Sequence, residues 1–103
     1  MKIIASQCGG RLTVQLTGEL DHHAARIVMQ KIISQIDLGL PRDCVIDMSE
    51  LSFMDSSGIA VVLNTFKKMR EIDGRIWIEH VPQQPLRVLD AAGIDRLISI
   101  TEL

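Results

Sequence analysis

The sequence predicts an α/β fold: a mixed, mostly parallel sheet that opens with an antiparallel hairpin and carries helices packed on it. Three observations carry the prediction. Arg11 to Thr17 (RLTVQLT) alternates apolar and polar residues at the two-residue period of a half-buried strand. Two later segments repeat apolar residues at helical spacing. Short apolar runs follow each helical segment, as strands covered on their faces do, and that alternation is the mark of a parallel sheet with right-handed crossovers.

Taken in order, Lys2 to Cys8 is the first strand-like run and Arg11 to Thr17 the second. Gly9-Gly10 between them suits a tight hairpin turn. Asp21 is placed to cap the first helix. Ala25, Val28, Met29, Ile32, Ile33 and Ile36 then form one helical face, and Gly39 with Pro41 ends it. Cys44 to Met48 (CVIDM) is a buried strand. Ile59, Val62, Leu63, Phe66 and Met69 mark a second helix, with Asn64, Lys67, Lys68 and Glu71 opposite and Gly74 as its stop. Arg75 to Val81 is the next strand, Pro85 to Ala92 a short helix broken by Gly93, and Leu97 to Ile100 a last strand. The strands ending at Thr17, Met48 and Val81 would all deliver their following loops to one sheet edge, where open α/β sheets usually bind.

At 103 residues and 47% apolar composition the chain is one domain that can bury a core without staples. Phe53, Phe66 and Trp77 are its only aromatics, the net charge is −2, and no basic run exceeds Lys67-Lys68. Direct nucleic-acid binding is therefore not expected. With no leader pattern and no apolar stretch near the ~18 residues of a membrane span, a cytoplasmic protein without membrane contact is expected. Cys8 and Cys44 sit far apart in strand-like runs and read as two buried thiols. No cofactor is implied. Asp21-His22-His23 is a poor metal site, because adjacent residues seldom face one ion.

The stretch LSFMDSSGIA (Leu51 to Ala60) places an acid, two serines and a glycine between apolar residues. Three roles fit it. Asp55, Ser56 or Ser57 can cap the helix that begins there, which is worth about 1 kcal/mol. Ser56 can be a nucleophile, although the esterase elbow would need a glycine where Met54 stands, and so small a domain leaves little room for a cleft. Ser56 can also carry reversible charge. A phosphoserine there adds about −1.5 to −2 charge close to Glu19, Asp21 and Asp55. Gly58 costs up to ~1 kcal/mol in a helix and is best understood if something approaches the backbone closely.

TGELDHHAA (Thr17 to Ala25) together with LSFMDSSGIAVVL (Leu51 to Leu63) resembles the STAS-domain family of anti-sigma factor antagonists, and its sporulation branch in particular. The resemblance spans nearly the whole chain and implies a single STAS domain over residues 1–103. The family usually continues past the last strand into a further helix, for which Thr101-Glu102-Leu103 ends too early. It also implies partner switching rather than catalysis. The unphosphorylated antagonist binds an anti-sigma factor that is a serine kinase with bound nucleotide. That kinase phosphorylates the serine after the motif aspartate, here Ser56, and the complex separates until a serine phosphatase resets it. Glu19, Asp21 and His22 from the GELDHH run, with Met54, Asp55, Ser57 and Gly58 around Ser56, would form the docking surface. The alternatives are a STAS module of another circuit, such as a general stress antagonist or a scaffold, and a small serine hydrolase.

Overall fold

The structure, a computed structural model, describes residues 1–103. Strands β1 (Lys2–Cys8) and β2 (Arg11–Leu20) form the antiparallel hairpin. Gly9 and Gly10 turn it with φ of 59° and 81°, the doubly positive pair that a two-residue hairpin favours. Helix α1 (His22–Gly39) leads to β3 (Asp43–Met54), α2 (Ser56–Glu71) to β4 (Arg75–Val81), and α3 (Gln83–Ala91) with a short 3-10 turn to β5 (Ser99–Glu102). The five strands lie in the order β1-β2-β3-β4-β5, antiparallel only in the first pair. The expected architecture is therefore the one observed.

The core lies between the sheet and its helices. Leu12, Val14 and Leu16 from β2, Cys44, Ile46 and Met48 from β3, and Ile76 and Ile78 from β4 face it in alternation. On α1, Val28, Ile32 and Ile36 are fully buried, each side chain worth about 1.5–3 kcal/mol relative to exposure. On α2 the buried stripe is Gly58, Val61, Val62, Thr65 and Met69, with Ile59, Leu63 and Phe66 only half-buried. The stripe is turned from the expected one because α2 packs along α1 as well as on the sheet. The Thr65 hydroxyl donates to the Val61 carbonyl at 2.7 Å, which satisfies it inside the core.

Four expectations are corrected. β2 and β3 run on to Leu20 and Met54, so GEL and the segment after Met48 are paired strand, with register shifts at Gln15/Thr17 and Gly18/Glu19. Gly18, at φ 111°, takes a conformation that suits glycine alone within that irregular stretch. Gly39 does not terminate α1 as a left-handed residue. It is the last helical residue, Leu40 takes the left-handed cap, and a Cβ at Gly39 would collide with the Gln7 carboxamide that donates to the Gln35 carbonyl. β5 starts at Ser99 rather than Leu97, which is exposed, while Ile98 turns inward. Finally, Cys8 is exposed at the hairpin, whereas Cys44 is buried and its thiol is pushed up to about 12 by desolvation. No helix is long and apolar enough to cross a membrane.

Candidate functional site

The long partners β2 and β3 reach beyond the pairing of β3 with β4, which ends at Asp47 and Glu79. At their tips Leu20 pairs with Met54, and the Asp55 N–H donates to the Leu20 carbonyl at 3.2 Å. Each strand then turns directly into a helix. As a result, the starts of α1 and α2 are held side by side, each introduced by an aspartate.

Asp21 caps α1. Its Oδ1 accepts from the His23 and Ala24 N–H groups, both at 3.0 Å. The Ala24 bond is the main reason its carboxyl titrates below the ordinary aspartate value, with further help from the His23 bond and the His23 and His22 side chains. The His22 and His23 rings are exposed and stand 3.9 Å apart, tilted by 37°. Asp55 caps α2 in the same manner, its Oδ1 accepting from the Ser57 N–H at 2.8 Å. The cap therefore belongs to the aspartate. This leaves Ser56, the first helical residue, exposed, with its hydroxyl in no hydrogen bond to another protein group. Ser57 is half-buried behind it.

Two residues expected on the docking surface lie beneath it. Met54 is fully buried, and Gly58 is buried against it. A Cβ at Gly58 would collide with Met54 Cγ and Sδ and would lie 3.2 Å from Leu20 Cδ2. The close approach anticipated at this glycine is real, but what approaches is the methionine of the preceding strand. The exposed residues are Glu19, His22, His23, Phe53 and Ser56, with Asp21, Asp55 and Ser57 partly accessible. Phe53, at 40% exposure, was not among the expected contacts, although it stands opposite Glu19 in the sheet.

The turn after β4 joins the site through α3. The Met54 N–H donates to Gln84 Oε1 at 2.8 Å, and Gln84 Nε2 donates to the Met54 carbonyl at 2.9 Å. This amide closes the tip of β3 where a sheet partner is missing. His80, a conceivable base for Ser56, instead lies 3.5 Å from Asp47. No group of three or more His, Cys, Asp and Glu side chains converges as metal ligands.

Comparison with known proteins agrees with this fold. The STAS domain family pattern matches residues 2–102. The anti-sigma F factor antagonist of Paenibacillus polymyxa is 33% identical over 91 residues, covering 88% of this chain and 78% of its own length. The anti-sigma-B factor antagonist of Bacillus subtilis is 28% identical over 90 residues, 87% and 81% of the two chains. The unphosphorylated form of the anti-sigma factor antagonist SpoIIAA superposes with a TM-score of 0.84 at 26% identity, covering 96% of this chain and 87% of its own. The phosphorylated form from Bacillus superposes at 0.74 with 28% identity, covering 96% and 90%. With the family pattern matched along nearly its whole length and this fold beneath it, the chain belongs to the STAS-domain family.

Proposed function

We propose that this protein is a phosphorylation-controlled anti-sigma factor antagonist that acts in the cytoplasm by binding rather than by catalysis. In its unphosphorylated form it docks on an anti-sigma factor, itself a serine kinase with bound nucleotide, and so frees the sigma factor. The observation that carries the reading is the exposed Ser56 hydroxyl beside the Asp55 cap, at the junction where the two helix starts meet. The names of the P. polymyxa relative and of SpoIIAA, the latter solved with and without phosphate, support it.

The chemistry asks little of this chain. The Ser56 hydroxyl oxygen attacks the γ-phosphorus of the kinase's ATP, a P–O bond forms as the bond to ADP breaks, and the hydroxyl proton leaves to a base on the kinase. Glu19, Asp21 and Asp55 already make this end of the sheet acidic. A phosphate adds about two further negative charges, so a partner that docks an acidic or phosphate-bearing surface is repelled. A serine phosphatase then hydrolyses the phosphoester and restores the binding form. Asp21, His22, Glu19, Asp55 and Ser57 supply the contacts, while Met54 and Gly58 support them from below.

The test is incubation with ATP and the candidate kinase, followed by intact mass and site mapping. One phosphate on Ser56 is expected. Ser56→Ala should keep binding the kinase and Ser56→Asp should bind at least ten-fold more weakly, on the order of 1.4 kcal/mol. A phosphate mapped elsewhere, or equal affinities, would sink the reading. The second reading, a STAS module of a general stress circuit, is favoured by the similarity to the B. subtilis anti-sigma-B factor antagonist. It keeps Ser56 as the switch and changes the partner.

A further inference from the structure

A shallow groove runs between the first turn of α2 and α3. Ser56 and Ile59 line one wall, and Gln84, Arg87, Val88 and Ala91 line the other. Gln84 is fixed by its paired hydrogen bonds to Met54, two residues before Ser56. Arg87 follows Gln84 by three residues, one turn along the same face of α3, so it rises beside the start of α2. Arg87 is exposed, and the protein's ion pairs and side-chain hydrogen bonds do not include it. On its other side it borders a second groove with Asp90 of its own helix and Glu102 of β5, but pairs with neither. The other titratable groups at this end of the sheet are Asp55 at the same helix start, Glu19 at the tip of β2, and Asp21, His22 and His23 at the start of α1. Arg87 is the charged residue that shares the groove with Ser56.

We propose that Arg87 is the built-in countercharge for phosphoserine at Ser56, its guanidinium crossing the groove to hold the phosphate. This rests on Ser56 being the phosphorylated residue. A guanidinium presents a planar fork that matches two phosphate oxygens, and a phosphate near −2 outcompetes the single charges of Asp90 and Glu102 for it. Phosphorylation then does two things to the surface. It adds negative charge, and it draws Arg87 over Ile59, Val88 and Ala91, which removes both an apolar groove and a free cation from what a partner meets. The modified surface is changed in shape as well as in charge without any movement of the backbone.

The experiment builds phosphoserine into position 56 of the full chain by encoded incorporation, so that no kinase is needed. The phosphate is titrated by phosphorus NMR in the parent, Arg87→Gln and Arg87→Lys. Loss of the cation in Arg87→Gln should raise the second phosphate pKa by ~0.5 unit, as suits an exposed pair, and Arg87→Lys should recover most of the shift. The Arg87 Nε–H resonance of the parent should move as the phosphate titrates. An identical phosphate pKa in the parent and Arg87→Gln, with circular dichroism showing all three folded, overturns the proposal, as does an Arg87 resonance indifferent to the phosphate. Neither result depends on the kinase. A kinase that ignores Ser56 would instead overturn the function proposed above.

Discussion

Gly58 and Met54 occupy space that only one of them can fill. The methionine of the β3 tip lies where the first turn of α2 would carry a Cβ, so Gly58→Ala forces Met54 off its rotamer and presses on Leu20. We expect a loss of about 1–3 kcal/mol, the usual cost of overpacking. In a Gly58→Ala chain, Met54→Ala should cost less than it does alone, and urea melts of the two single variants and the double variant measure that coupling. Additive losses would mean that Met54 swings clear. Asp21 gives a second residue-scale test. Its carboxyl is held below the ordinary aspartate value of 3.8, chiefly by the Ala24 N–H. Its contribution to stability is therefore complete above 3.8 and lost as pH falls through the lower, folded value. Asp21→Asn keeps a capping oxygen but cannot titrate, so its stability should vary less with acid than the parent's in that window.

At the scale of elements, α1 and α2 are joined across their exposed sides by Lys68, which lies 2.8 Å from Asp37 and 3.8 Å from Glu71. The bond to Asp37 is the largest cause that raises the Lys68 pKa above 10.5. The pair thus stabilises the protein fully below 10.5 and loses that effect as pH rises through the folded value. Asp37→Asn should flatten the alkaline limb of the stability profile, read by thermal melts, and an unchanged limb would show that the pair contributes nothing. The helices themselves were legible because Val28, Ile32 and Ile36 repeat at helical spacing. The tips of β2 and β3 were not. Ser49, Glu50 and Ser52 read as a loop, and only pairing with the distant residues Thr17 to Leu20 makes them a strand. Two register shifts also break the alternation that would have extended β2. Hydrophobicity alone could not decide whether Met54 faced a partner or the core, since both positions accept a methionine. The Asp21 cap was readable because capping is a local property, whereas three neighbouring residues could each have capped α2 and only the structure assigns that role to Asp55.

At the scale of the molecule, the sheet sets two helix starts side by side through backbone pairing, and the Asp21 and Asp55 caps with the Gln84 clasp on Met54 tie them down. If Ser56 is the switch proposed above, a frame held in this way leaves it to act first through the charge that the surface presents. If repulsion separates the phosphorylated form from its anti-sigma factor, the affinity gap between the parent and Ser56→Asp should shrink as salt rises, because exposed charges are screened over about 10 Å at 0.1 M and about 3 Å at 1 M. Titration calorimetry at several salt concentrations measures that gap. Backbone amide spectra of Ser56→Asp should meanwhile match the parent everywhere except around Asp21 to Ala24, Asp55 to Ile59 and the facing groove wall from Gln84 to Ala91. A gap that ignores salt would assign the switch to steric exclusion. Spectral changes spreading across the sheet would assign it to a change of fold, which the direct Asp55 to Leu20 bond and the double Gln84 clasp on Met54 are built to resist.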